Sequence, residues 1–162
     1  MSIQQFELFH GAVLAKLMRS DRPIALRMIE TKDEAWSVYT VNDEVELFIK
    51  VRTIASELSR ERDGLSWQFV FTPEQISQIK NLSASKKVAI ALVCGRQNIK
   101  DDMQIAFIEQ DDVKDIIDFS VNTSQSLTVK YIPKKKLRVI TNYTEEKLIS
   151  QNALDKWIVP GS

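Results

Sequence analysis

The sequence predicts an α+β fold. It reads as one domain over residues 1–162, with a mostly antiparallel sheet, an N-terminal amphipathic helix and two or three further helices. Three observations carry this expectation. Apolar residues recur at three- and four-residue spacing over 3–18. Short runs rich in β-branched and aromatic residues follow one another closely, and turn-forming residues separate them.

Taken in order, Ile3, Phe6, His10, Val13 and Leu17 fall on one helical face. Pro23 closes that segment, because proline disfavours helical backbone at the residue before it. Residues 23–31 alternate Ile24, Leu26 and Met28 against Ala25, Arg27 and Ile29, as a strand does. Residues 36–41 and 44–51 supply two more strands. Asn42 and Asp43 between them tolerate the left-handed backbone of a tight hairpin, so the three strands form an antiparallel meander.

Residues 53–65 are polar and end in Asp63-Gly64, which reads as a loop with at most a helical turn and the most mobile segment expected. A strand follows over 66–71. Thr72-Pro73-Glu74-Gln75 then opens a helix: Thr72 caps it, Pro73 suits its first turn and Gln75 completes a capping box. Residues 88–94 are almost wholly apolar, as a strand buried on both faces must be. Residues 103–108 form a strand and 111–118 a short acidic helix. Two strands at 126–132 and 137–141 are joined by the turn Pro133-Lys134-Lys135-Lys136. Residues 144–159 read as irregular helix covering an edge.

Composition excludes several functions. Lys plus Arg and Asp plus Glu number 22 each, so the chain lacks the basic excess of a dedicated binder of nucleic acid or acidic membrane. Cys94 is the single cysteine, which rules out an internal disulfide and points to the reducing cytoplasm. The first residues lack the pattern of a signal peptide, and no apolar run is long enough for a membrane span. With four glycines there is no glycine-rich nucleotide cradle, and Gly95-Arg96-Gln97-Asn98 lacks phosphate-loop spacing. No cofactor or resident metal is expected. His10 is the only histidine. A Cys94–His10 dyad would need the two within hydrogen-bond reach. Both lie in apolar segments, so both read as core residues.

The order over residues 3–94 is helix, three strands, a further strand, helix and buried strand. It is similar to the core of the PD-(D/E)xK nucleases. That resemblance implies acidic residues and a lysine converging on a divalent metal, with the lysine serving the attacking water. Residue by residue, the triplet ending at Lys50 is Phe48-Ile49-Lys50, so phenylalanine stands where the motif needs an acid. Glu46 shares a face with Lys50 but lies roughly 13 Å along the strand. Hairpin pairing puts Lys50 opposite about Ala35, with Asp33 and Glu34 just beyond. Glu46, Lys50, Asp33 and Glu34 are thus the nuclease candidates. The plainer reading is a half-buried strand whose Val45, Leu47, Ile49 and Val51 face the core, while Glu44, Glu46, Lys50 and Arg52 face water.

Charge is distributed unevenly. Residues 101–118 hold seven acids against Lys114, with Asp111, Asp112 and Asp115 on the acidic helix. Residues 130–138 hold Lys130, Lys134, Lys135, Lys136 and Arg138 without an acid. The blocks can face each other, or serve as complementary halves of a surface. The sequence therefore predicts a non-catalytic interaction or regulatory module acting through protein surfaces, with a protein partner or self-association. The alternatives are a degenerate or divergent nuclease of the kind above, and nucleic-acid contact through the basic hairpin.

Overall fold

In the computed structural model, two five-stranded sheets pack face to face. The structure describes residues 5–19, 24–33, 36–98, 103–142 and 145–159, with backbone alone for 5, 6 and 28–33. Helix α1 (Gln5–Met18) is followed by strands β1 (Leu26–Asp33), β2 (Trp36–Val41) and β3 (Val45–Arg52), the expected meander. Its β2–β3 turn carries Asn42 and Asp43 at φ 51° and 58°. Residues tolerant of positive φ are needed at both central positions of such a two-residue hairpin. Strand β4 (Ser56–Glu57) and strand β5 (Leu65–Phe71) precede helix α2 (Pro73–Ser83) and strand β6 (Lys87–Cys94). Strand β7 (Gln104–Ile108), helix α3 (Val113–Ile116) and strands β8 (Gln125–Tyr131), β9 (Leu137–Ile140) and β10 (Lys147–Ile149) complete the order.

The first sheet runs β1-β2-β3-β6-β7 and the second β10-β9-β8-β5-β4. All neighbours are antiparallel except β3 and β6, which run parallel at its centre. Alternation along the first sheet separates two cores. Trp36, Val38, Phe48, Ile90, Leu92 and Cys94 face the second sheet, α2 and α3, where they meet Trp67, Phe69, Phe71, Leu127 and Val129. Tyr39, Leu47, Ile49, Ala89, Ala91 and Phe107 face the other way, against Phe9, Val13 and Leu17 of α1.

Helix α2 begins as its sequence requires. Thr72 Oγ1 accepts from Gln75 N at 3.2 Å, and Gln75 Oε1 accepts from Thr72 N at 3.1 Å. Each bond satisfies a backbone donor that the helix start would otherwise orphan.

Four expectations need correction. The segment 53–65 is not a plain loop: Ser56 and Glu57 pair with Ser66 and Leu65, and Leu58 N donates to Gly64 O at 3.0 Å. Residues 147–149 form a strand on the edge of β9 rather than helix, and only 151–156 wind into turns behind it. The acidic helix is four residues long, closed by extended backbone at Ile117. Most consequential, β3 has no wet face. Its seven residues from Val45 to Val51 are all buried, including Glu46 and Lys50, because β2 and β6 flank it and a core covers each side. Only Glu44 and Arg52, at the strand ends, are exposed as expected.

Cys94 lies at the end of β6 inside the core between the sheets, while His10 sits on the α1 side of the first sheet with its Nδ1 2.6 Å from Ser37 Oγ. The sheet stands between them, so they form no dyad. Full burial pushes the Cys94 thiol far above its ordinary range, since an apolar surround disfavours the thiolate. Native protein is therefore expected to resist a thiol reagent such as iodoacetamide and to be labelled stoichiometrically once denatured. Mass spectrometry of the two reactions checks this, and rapid native labelling would contradict the burial.

Candidate protein-interaction groove

The candidate residues fall into three places. The first is the buried face of β3. Glu46, 2% exposed, accepts from Thr40 Oγ1 through both carboxylate oxygens, at 3.2 and 3.0 Å. Thr40 is its direct cross-strand partner, so the pleat delivers the hydroxyl to the carboxylate. Lys50, 8% exposed, donates to Gln75 Oε1 at 3.0 Å. Its ammonium lies 5.4 Å from the Trp36 ring centroid and 5.2 Å from that of Phe71, within cation–π range. Gln75 thus links the α2 cap to the lysine.

This face is filled by side chains rather than open to a substrate. Phe48 stands between Glu46 and Lys50 and packs on Trp36 with ring centroids 5.1 Å apart. Lys50 sits opposite Trp36, one residue from the expected partner, and Asp33 is in register with Trp36 on its other side. The Asp33 side chain and all of Glu34 lie outside the described residues. Among the described residues no three histidine, cysteine or acidic side chains converge to hold a metal.

The acidic block is dispersed. Lys147 on β10 donates to Asp112 Oδ1 at 2.6 Å and to Asp115 Oδ2 at 3.0 Å. These bonds hold its ammonium protonated above the usual lysine range. Asp111 instead borders a hollow of roughly 970 Å³ shared with Asp43, Glu44, Lys86, Lys87 and Lys114, whose mixed charges favour no one ligand chemistry. Asp101 and Asp102 lie outside the described residues. Arg138 approaches Glu146, with Nε 3.7 Å from Oε1. The ion pairs of Asp112 and Asp115 with Lys147 thus tie the acidic helix to β10.

The basic turn is the third place, and it does border a cavity. Ile132 O accepts from Lys135 N at 3.1 Å, which closes a turn with Pro133 and Lys134 at its centre. Lys134, Lys135 and Lys136 are exposed and line a groove of roughly 670 Å³. Phe9 and Ala12 of α1, Val93 of β6 and Ile105 of β7 give it an apolar floor. Gln104 and residues 150–152 supply polar groups, and Lys16 pairs with Asp155 on its wall at 3.0 Å. Gln151 Nε2 donates to Lys135 O at 2.7 Å, which fixes the turn against the C-terminal segment. Among the described residues of the lining, four lysines stand against one aspartate, a basic excess. Arg138, on β9 beyond the turn, is not part of its lining.

Of the described residues that line the groove, the sequence singles out the three lysines of the turn and not the rest. Met103, Gln104 and Ser150–Asn152 gave no local signal, because only the packing of β10 and α1 brings them to the turn. Comparison with family models, with curated proteins and with solved structures gives no match.

Proposed function

We propose that this protein is a non-catalytic interaction module that holds an acidic segment of a protein partner along the groove beside the 132–136 turn. One observation carries the reading. Lys134 has φ 68°, at the third position of a turn with proline at the second, where glycine or asparagine folds at least cost. A lysine there costs the fold about 1 kcal/mol. Nothing in the turn's own hydrogen bonding needs its side chain, which is exposed and borders the groove. The charge itself is the evident gain.

The groove chemistry narrows the partner. Basic rims attract carboxylates and phosphates alike. Nucleic acid is held far better where exposed aromatics stack on bases. Among the described residues the aromatic in the groove lining is Phe9, which is buried, so an acidic peptide with apolar side chains fits better than an oligonucleotide.

The test is fluorescence anisotropy with a labelled peptide alternating glutamate and leucine, and with a single-stranded oligonucleotide, at low and high salt. Wild-type protein is expected to bind the peptide and to lose affinity as salt rises. Lys134→Gly is expected to bind several-fold more weakly while its unfolding free energy rises by about 1 kcal/mol. Equal peptide affinity in the two proteins would remove the groove reading, and a clear preference for the oligonucleotide would replace it with the nucleic-acid one.

A further inference from the structure

Helix α1 is apolar on both sides. Phe9, His10, Val13 and Leu17 are buried against the first sheet. The opposite face presents Leu8, Gly11, Ala12, Ala15 and Met18, with Leu8 44% and Met18 61% exposed. A helix on the surface of a monomer normally shows water a polar face, whereas one apolar all round is covered on all sides. The outward face is bounded by exposed Glu7 at one end and exposed Arg19 at the other.

We infer that this face pairs with the same face of a second copy, as two α1 helices packed antiparallel about a two-fold axis. The pattern is self-complementary about Val13. Glu7 and Arg19, Leu8 and Met18, and Gly11 and Ala15 are each equidistant from it. Antiparallel pairing therefore sets the acidic end of each helix beside the basic end of its partner, and each large apolar residue near the partner's other one. Small residues meet at the centre, where backbones must come close. A Cβ on Gly11 would meet nothing within 4 Å in its own chain, so the protomer's packing gives no reason for glycine there. A glycine in mid-helix costs stability relative to alanine, and close approach of another backbone is a use that offsets it. A two-fold contact requires such self-complementarity, since the same patch serves both subunits.

The contact involves one helix from each chain, which is less than a standard interface, so a reversible dimer is expected rather than an obligate one. It does not depend on the groove's ligand. Ala12 and Lys16 border that groove, so the two grooves of a dimer lie on either side of the axis.

Sedimentation velocity over a concentration series, with no peptide present, tests the inference. Wild-type protein is expected to shift from monomer to dimer as concentration rises. Ala15→Arg puts a charge at the seam on an exposed helical position and is expected to remain monomeric with unchanged circular dichroism. Glu7→Arg is expected to weaken association roughly tenfold at low salt, and Glu7→Arg with Arg19→Glu to restore it, because the pair is exchanged in both copies. A wild-type monomer at every concentration would overturn the inference, as would a dimer that Ala15→Arg leaves intact. A monomer that co-sediments with anionic phosphatidylserine vesicles through this face would overturn it too, by making the occupant a membrane surface.

Discussion

Trp67→Ala is expected to destabilise the protein by about 4–5 kcal/mol, the largest effect of any single truncation proposed here. Trp67 is 1% exposed in the core between the sheets, and its Nε1 donates to Gly95 O at 2.8 Å. Truncation opens a ring-sized cavity and also leaves a buried carbonyl without its donor. Trp67→Phe separates the two contributions: it retains most of the packing and loses the bond, for about 1–2 kcal/mol. Urea unfolding of the three proteins measures both differences. A Trp67→Ala cost near that of Trp67→Phe would mean that the site collapses around the missing ring.

Removing one partner of the buried polar pairs on β3 gives the second large effect. Thr40→Val preserves side-chain shape but leaves the Glu46 carboxylate without its hydroxyl, for an expected loss of about 2–3 kcal/mol. Thr40→Val combined with Glu46→Leu is expected to recover much of this, because replacing both members of a buried polar pair by apolar groups is often near neutral. Lys50→Ala is expected to lose about 2–4 kcal/mol through lost packing on Trp36 and Phe71, and Lys50→Met to lose less, since its chain refills the space. These variants also decide the role of the strand. If Glu46 and Lys50 served a metal and its water, Lys50→Ala would abolish magnesium- or manganese-dependent cleavage of DNA or RNA by wild-type protein. On the interaction reading wild-type protein leaves both substrates intact, and the variants change stability alone.

Element identity was legible where local chemistry decides it. Asn42-Asp43, Thr72-Pro73-Glu74-Gln75 and the apolar run 88–94 each carry a local reason for their structure, and each forms as expected. The order helix, meander, strand, helix and strand is present too, although β5 belongs to the second sheet.

What failed was the environment of each face. The alternation from Val45 to Arg52 reads as half-buried only if nothing covers the Glu46 and Lys50 side. Phe48 on that side was the available signal that something does. The covering comes from α2 and β5, later in the chain, and no period in β3 encodes it. The groove was half legible for the same reason. A run of lysines after a proline marks an exposed turn, but the apolar floor below it is assembled from α1, β6 and β7.

The chain path through the two sheets bears on how the protein folds. Strands β1 to β3 pair with neighbours close in sequence, and β8 and β9 do likewise, so each pairing can form by local search. The bonds that complete the sheets are different: Glu46 must find Val88, and Leu65 must find Tyr131. Closing such long loops costs chain entropy before any contact repays it, and folding rates fall as contacts become less local. Strand β5 belongs to the second sheet, where β4 pairs only with Leu65 and Ser66 at its start and β8 pairs along its whole length. Until β8 pairs, Trp67, Phe69 and Phe71 have no strand beside them, and during refolding that apolar segment is the one most exposed to aggregation.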